Sequence, residues 1–187
     1  MAVRRIAATA AAAVVCAGLA GCGGDASSAD PTPTVTASAS ASSPTGPVAP
    51  VLPELAKRND AVGAKAFLRY WFAAVTYAMK TGDTEPFMAV SARECKTCTN
   101  LRGEVLAIRD ADRRLIGGGW EVVGVEQDPS LEPPYYRFAV KVHQPRQRVV
   151  EASGKVVSKS AAQTFMFLVG VQHRDHFELH GVERADD

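Results

Sequence analysis

Two cysteines three residues apart form the sharpest chemical motif of this sequence, Cys95-Lys96-Thr97-Cys98. Side chains at positions i and i+3 of a helix lie about 5–6 Å apart, so a disulfide between them needs only slight distortion. The alternative is a redox pair in which Cys95 is a low-pKa nucleophile at a helix N-terminus. The motif does not follow a strand of a βαβ unit, as thioredoxin-like chemistry requires, and zinc would need a second ligand pair at suitable spacing. We therefore predict a structural disulfide.

Three histidines near the C-terminus, His173, His176 and His180, are of the residue type that binds metals. His176 and His180 share one face of a predicted strand, on which four residues span about 13 Å. One metal ion cannot bridge that distance, so we predict surface histidines and no metal. The sequence contains no phosphate-binding loop, no Gly-x-Ser-x-Gly and no His-Glu-x-x-His motif, so we predict no cofactor.

The carboxylates of the helical half do not form a catalytic pattern. They are Asp83, Glu85, Glu94, Asp110 and Asp112. None stands alone within an apolar stripe, where burial would raise its pKa for proton abstraction. We predict no catalytic residue.

Aromatic side chains from both halves of the predicted domain could line a pocket. They are Tyr70, Trp71, Tyr77, Trp120, Tyr136 and Phe138. Two interpretations remain open for them. The rings either fill the core or enclose a cavity for a small apolar ligand.

The overall charge and composition exclude several classes of protein. The 187 residues carry 21 Lys+Arg against 20 Asp+Glu, which gives a formal net charge of +1. Nucleic-acid-binding proteins normally show a basic excess or stripe, so this balance argues against a nucleic-acid partner. A mean hydropathy near zero argues against a polytopic membrane protein. The length allows one domain with tails.

Residues 1–21 have the form of an export signal. Arg4 and Arg5 precede an apolar run over residues 6–20, which has the length of a signal-peptide core and is short for a bilayer span. The run ends in Leu19-Ala20-Gly21-Cys22, which resembles the lipobox of bacterial lipoprotein precursors. The resemblance implies cleavage before Cys22 and acylation there, and thus a lipid anchor at the extracytoplasmic face of the cell membrane. An ordinary secretory signal is the alternative. Either location is oxidising, which favours the predicted disulfide.

A tether follows the proposed anchor. After Cys22, residues 23–50 consist almost exclusively of Ser, Thr, Ala, Pro and Gly and contain no aromatic residue. Such a segment cannot bury enough apolar surface to offset the entropy lost on ordering. We predict that residues 22–50 are a disordered tether with an r.m.s. span of roughly 30 Å. A single domain is predicted over residues 51–187.

Helical periodicity dominates the first part of this domain. Apolar residues recur at three- and four-residue steps in Asp60–Lys80, which predicts a helix. Asn59 or Asp60 is the predicted N-cap, and Gly82 is the predicted stop. A short second helix is predicted next, with Pro86 in its first turn.

A third helix is predicted from the segment 91–95 to about Leu115, with the glycines at 117–119 as its end. Period-two alternation follows to the C-terminus. The predicted strands are Trp120–Glu126, Tyr135–His143, Val149–Glu151, Lys155–Val157, Thr164–Gln172 and Phe177–Glu183. Helices followed by antiparallel strands predict an α+β domain.

This order of elements is similar to the cone-shaped nuclear transport factor 2-like fold, in which N-terminal helices pack on a curved antiparallel sheet. More closely, Phe67-Leu68-Arg69-Tyr70-Trp71-Phe72, Thr81-Gly82-Asp83-Thr84 and the Cys95–Cys98 motif resemble a family of actinobacterial lipoproteins of uncharacterised function. The resemblance spans most of residues 52–182. It implies an architecture and a location, and it brings no established activity.

We therefore expect a lipid-anchored protein of the cell envelope whose domain is a non-catalytic binding or interaction module. The expected partners are the membrane, through Cys22, and an envelope protein, a wall polymer or a small apolar ligand. One alternative is an isomerase or dehydratase with an ionisable residue buried in an open cone. The other is a thiol oxidoreductase that uses Cys95 and Cys98.

Overall fold

The computed structural model describes residues 46–185, so the predicted signal, Cys22 and most of the predicted tether lie outside the described part. Within it, a 3₁₀ turn at Glu54–Lys57 precedes three helices and seven strands. The elements are α1 (Ala61–Thr81), α2 (Glu85–Met88), α3 (Lys96–Asp110), β1 (Arg113–Gly117), β2 (Glu121–Asp128), β3 (Tyr135–Gln144), β4 (Gln147–Glu151), β5 (Val156–Ser160), β6 (Gln163–His173) and β7 (Phe177–Arg184). This order confirms the predicted α+β class. No helix in residues 46–185 is long and apolar enough to cross a membrane.

Helix α1 begins and ends where its local chemistry predicts. The Oδ1 atom of Asp60 accepts a hydrogen bond of 2.7 Å from the backbone N–H of Gly63, which caps the first turn. Gly82 ends the helix at φ 80°, a left-handed conformation that glycine adopts without steric cost. Between these ends, the apolar stripe buries Ala64, Phe67, Leu68, Trp71, Phe72 and Val75.

Helix α3 is shorter than predicted, and the expectation of a helix to Leu115 is wrong. The helix ends at Asp110, and Asp112 takes a left-handed conformation with φ 53° that redirects the chain. Residues 113–117 then form β1, in which Leu115 lies opposite Val149 of β4. This partner strand is far along the chain, so local periodicity could not reveal it. Gly117 is therefore the last residue of a strand rather than the end of a helix, and Gly118 and Gly119 follow that strand.

The strands form two antiparallel sheets where a single curved sheet was expected. The larger sheet has the order β2-β3-β6-β7, and the smaller one has the order β1-β4-β5. In the larger sheet, inward residues such as Phe138 and Val169 lie opposite each other and alternate with more exposed ones. A register shift between Gly170 and Val171 bends the pairing of β6 with β7.

The hydrophobic core lies between the helices and the inner face of the larger sheet. Its aromatic rings pack against one another, with the centroids of Trp71 and Phe87 6.0 Å apart and those of Trp120 and Phe167 5.5 Å apart. Such pairs contribute about 0.5–1.5 kcal/mol each beyond the area they bury. The main core cluster runs from Ala56 to Val182. The described residues 46–185 belong to one compact unit, which thus carries its own core.

Candidate functional site

The inner cleft, a cavity of about 360 Å³, lies between α1, α3 and the larger sheet. Both tryptophans of the chain, Trp71 and Trp120, form part of its wall, together with apolar residues such as Leu101 and Phe167. Its polar lining consists of Thr97, Asn100, Glu104, Gln144 and Gln147. Small-molecule sites measure about 300–1,000 Å³ and combine an apolar wall with a few polar groups. The inner cleft has both properties.

Hydrogen bonds hold Trp120 in the wall of the cleft. Its backbone N–H donates to the Thr76 hydroxyl at 2.7 Å, and the same hydroxyl donates to the Trp120 carbonyl at 3.1 Å. The indole Nε1–H donates to Oε1 of Gln144 at 3.1 Å. Gly119 permits this approach, because a Cβ there would lie 2.7 Å from the Thr76 methyl group. The ring is thus a fixed surface of the cleft.

Trp71 is also held by hydrogen bonds within the protein. Its Nε1–H donates to Oγ of Ser91 at 2.9 Å, and the Ser91 hydroxyl donates to the Phe87 carbonyl at 2.7 Å. Both indole N–H groups are therefore engaged within the protein. Trp71 is 0% exposed, so it forms the floor of the cleft, whereas the half-buried Trp120 can offer a ligand the carbon surface of its ring.

Gln147 supplies an unmatched acceptor. Its Oε1 atom is buried and accepts no hydrogen bond from residues 46–185. Gln147 is the first residue of β4, opposite Gly117 of β1 and Ser160 of β5. Gly118 leaves the space for the side chain, because a Cβ there would lie 2.3 Å from Oε1. A buried acceptor without a partner costs about 1–3 kcal/mol, which a ligand N–H or O–H could recover.

The inner cleft contains little acid–base chemistry. Among its described lining residues, Glu104 is the one ionisable side chain, and it is exposed. Proton abstraction in a cavity uses a carboxylate or imidazole that is shielded from water. At the opposite end of β3 from Gln144, burial raises the pKa of Tyr136, whose hydroxyl donates to Oδ1 of Asn59 at 3.1 Å. This tyrosine is thus held as a neutral donor.

The aromatic residues singled out from the sequence divide between the two roles left open for them. Both tryptophans line the inner cleft. Tyr136 and Phe138 are buried in the core, with their ring centroids 6.5 Å apart. Tyr70 and Tyr77 are half-buried on α1, and the Tyr70 hydroxyl donates to the Pro86 carbonyl at 3.2 Å. The predicted filled core and the predicted pocket therefore coexist.

A disulfide joins Cys95 and Cys98 at the start of α3, as predicted. Both residues are buried, at 1% and 0% exposure. Sγ of Cys95 accepts a hydrogen bond of 3.2 Å from the backbone N–H of Cys98, so the pair also caps the helix. A redox-active pair needs a sulfur that a partner can reach. The burial of both sulfurs removes that access.

The C-terminal histidines are more enclosed than the sequence suggests. His176 is exposed, whereas His173 and His180 are half-buried, in contrast to the prediction. The Nδ1 atom of His180 lies 3.2 Å from a Glu94 carboxylate oxygen, and its Nε2 atom lies 3.7 Å from one of Glu178. In the part of the chain that the structure describes, no group of three or more His, Cys, Asp or Glu residues could hold a metal ion.

A protein-family model described as a family of unknown function, DUF6318, matches residues 35–176. The chain belongs to this DUF6318 family. The match includes α1 to α3 and β1 to β6, and with them most of the inner cleft. No curated protein sequence matches the chain.

Solved structures resemble the DUF6318 domain at low sequence identity. The intermembrane-space region of the chloroplast protein ARC6 is 9% identical with a TM-score of 0.52, and the match covers 70% of this chain and 99% of that one. An uncharacterised protein with a cystatin-like fold from Caulobacter vibrioides is 13% identical with a TM-score of 0.42, over 66% of this chain and 87% of that one. At these identities the likeness concerns the fold alone.

Sequence reasoning missed the two glutamines of the inner cleft. Gln144 could have been found, because it continues the inward alternation of Tyr136, Phe138 and the two following valines by one further step along β3. Gln147 could not have been found, because its place in the cleft depends on the pairing of β4 with β1.

Proposed function

We propose that this chain is a lipid-anchored protein of the extracytoplasmic face of the cell membrane, and that its domain binds a small, largely apolar ligand in the inner cleft. The observation that carries the ligand proposal is that Gln147, whose Oε1 is buried and unmatched, lines the same cavity as both tryptophans. An apolar molecule with one N–H or O–H group would satisfy this oxygen and cover the exposed part of the Trp120 ring.

Binding is favoured over catalysis by the chemistry of the lining. The cleft supplies shape, aromatic surface and one buried, unmatched acceptor, while its described ionisable residue, Glu104, is exposed. An isomerase or dehydratase would need a shielded acid or base next to its substrate. The buried disulfide in turn gives a thiol oxidoreductase no accessible sulfur.

The proposed location is supported by the sequence of the first 22 residues. Two arginines, an apolar run and Leu19-Ala20-Gly21-Cys22 are the features that a lipoprotein signal requires. Each buried CH₂ of an acyl chain contributes about 0.8 kcal/mol, so several chains at Cys22 would anchor the protein stably. The Cys95–Cys98 disulfide is consistent with an oxidising environment outside the membrane.

The ligand proposal can be tested with N-phenyl-1-naphthylamine, a neutral aromatic amine with a single N–H donor. Both tryptophans line the cleft, so energy transfer from tryptophan to the probe reports binding there. We expect saturable binding that the Gln147→Leu variant weakens about 3- to 10-fold, because one hydrogen bond is lost. Gln163→Leu, an exposed glutamine on β6, is the matched control and should leave the affinity unchanged.

Equal affinities of the Gln147→Leu and Gln163→Leu variants would refute this site. Circular dichroism of each variant must first show native secondary structure, so that a folding defect is not mistaken for lost binding.

The anchor can be tested by fractionating bacterial cells that process lipoproteins. We expect Cys22→Ser to move the protein from the membrane fraction to the soluble fraction, because the acceptor sulfur is lost. Cys16→Ser, a substitution inside the predicted signal, is the matched control and should leave the protein in the membrane fraction. Membrane retention of the Cys22→Ser variant would rule out lipid attachment at this residue.

A further inference from the structure

The smaller sheet carries a basic excess that the net charge of the whole chain hides. Residues 109–117 and 144–161 contain β1, β4, β5 and their flanks. Seven Lys or Arg residues lie in these segments against three carboxylates, a net charge of +4, whereas the chain as a whole has +1. The cations are Arg109, Arg113, Arg114, Arg146, Arg148, Lys155 and Lys159.

The pairing of the strands gathers several of these cations on one face. Arg148 lies directly opposite Lys159 of β5 and directly opposite Ile116 of β1. Residues directly opposite each other share a face, with Cβ atoms about 4.5–5.5 Å apart, and like charges in that position are destabilising. Arg114 is two residues from Ile116 and therefore lies on the same face.

These cations have no counter-charge of their own. We define the basic face as Arg114, Arg146, Arg148 and Lys159, all of which are exposed. None of the four lies within 4.0 Å of a carboxylate of residues 46–185. Glu151 of β4 lies opposite Arg113, on the other face of the sheet. The fold thus holds like charges together at a cost that an external anion would offset.

Apolar surface lies among the cations. Arg146, Arg148 and Lys159 line an open cleft of about 580 Å³ together with Ile116. Val156 of β5 is 37% exposed and lies opposite Val150, which puts it on the face that carries Arg148. Cations around exposed aliphatic side chains are typical of surfaces that lie in a membrane interface.

We infer that the basic face docks on the headgroups of anionic phospholipids, with Val156 at the level of the headgroups. The phosphodiesters supply the missing counter-charge, and each Lys or Arg near an anionic bilayer strengthens binding about 5-fold. The exposed aliphatic surface favours a bilayer over a soluble polyanion. The proposed anchor at Cys22 is joined to the domain by 28 residues, whose r.m.s. span of roughly 30 Å keeps a bilayer within reach. This last argument rests on the proposed anchor, whereas the charge argument does not.

The inference is tested with residues 42–187, which carry the core and lack Cys22. Sedimentation with phosphatidylglycerol vesicles should recover the protein, and phosphatidylcholine vesicles should not. Raising NaCl from about 0.05 M to about 0.5 M should abolish the binding. The double variant Arg148→Gln/Lys159→Gln should lower the partition coefficient about 25-fold, or about 5-fold per cation.

The matched control is Arg69→Gln/Arg93→Gln, which neutralises two exposed cations outside the smaller sheet. It should bind phosphatidylglycerol vesicles as the wild type does. An equal loss in the control, or equal binding to both kinds of vesicle, would overturn the inference. Binding to inorganic polyphosphate without binding to vesicles would also overturn it in favour of a soluble polyanion. Residues 42–187 lack Cys22 and cannot be acylated there. A failure of this fragment to bind vesicles would therefore be distinguishable from a failure of the Cys22→Ser experiment.

Discussion

The tryptophans of the inner cleft already use their hydrogen-bond donors within the protein. Trp71 donates to Ser91, and Trp120 donates to Gln144. In the proposed complex, the buried and unmatched Oε1 atom of Gln147 accepts the hydrogen bond from the ligand. Because this oxygen can only accept, we expect alcohols and amines to bind better than ethers or ketones of the same size.

Asp128 connects the end of β2 to β3 through its carboxylate. Oδ1 accepts from the Ser130 backbone N–H at 2.9 Å, and Oδ2 accepts from Nε of Arg137 at 2.8 Å. Hydrogen bonds from Ser130, and then from Arg137, lower the pKa of Asp128 from its ordinary value of 3.8 to about 2. The folded state thus binds fewer protons than the unfolded state between these values. The stabilisation from this carboxylate is complete above the pKa that Asp128 has in the unfolded protein. It is lost as pH falls toward the lower pKa that Asp128 has in the folded protein.

Replacing Asp128 should remove this pH dependence. We expect the urea midpoint of Asp128→Asn to fall less steeply than that of the wild type between about pH 4 and about pH 2. Asp175→Asn, an exposed carboxylate in the turn after β6, is the control and should follow the wild-type slope. Parallel curves for wild type and Asp128→Asn would contradict this account.

At the level of elements, the disulfide acts as a local brace for the start of α3. The loop it closes is very short, so the chain-entropy model assigns it about 2 kcal/mol of stability. We expect the variant Cys95→Ser/Cys98→Ala to lose about that much in urea unfolding, because the hydroxyl introduced at the N-cap can still cap the helix. Thiol titration of the wild type under mild reductant should find the cysteines unreactive while the protein stays folded. Rapid reaction would instead favour the oxidoreductase alternative.

The turn from α3 into β1 depends on the conformation of Asp112. The left-handed conformation costs a residue with a Cβ about 1–2 kcal/mol. Aspartate adopts this conformation more readily than β-branched residues do. We therefore expect Asp112→Val to be less stable than Asp112→Gly by about 1–2 kcal/mol in urea unfolding. Equal stability of the two variants would show that the backbone at this position carries no strain.

At the level of the whole molecule, the two sheets should differ in local stability. The inner residues of β3 are buried, whereas four of the five residues of β5 are exposed and the fifth is half-buried. Few buried contacts allow a segment to open without global unfolding. We expect the amides of β5 to exchange with solvent by local opening, and those of β3 to exchange through global unfolding. Native-state hydrogen exchange measures both, and equal protection of β3 and β5 would contradict the expectation.

Much of this protein follows from interactions between residues close together in the sequence. The Asp60 cap, the Gly82 stop, the alternation of β3 and β6 and the Cys95–Cys98 pair are all confirmed. Each depends on groups within a few positions of one another, so local propensity and periodicity suffice to predict them. The lipid anchor at Cys22 stays a prediction from an equally local motif.

The other features of the fold and of the inner cleft depend on pairing between strands that are distant in the sequence. Because of this pairing, residues 113–117 form β1 rather than the end of the predicted third helix, and the strands form two sheets. The same pairing places Gln147 at the inner cleft. It also placed Arg148 opposite Lys159, which creates the basic face that a balanced net charge concealed. Periodicity shows that a segment is a strand, whereas its neighbour is selected by the packing and register of the complete fold.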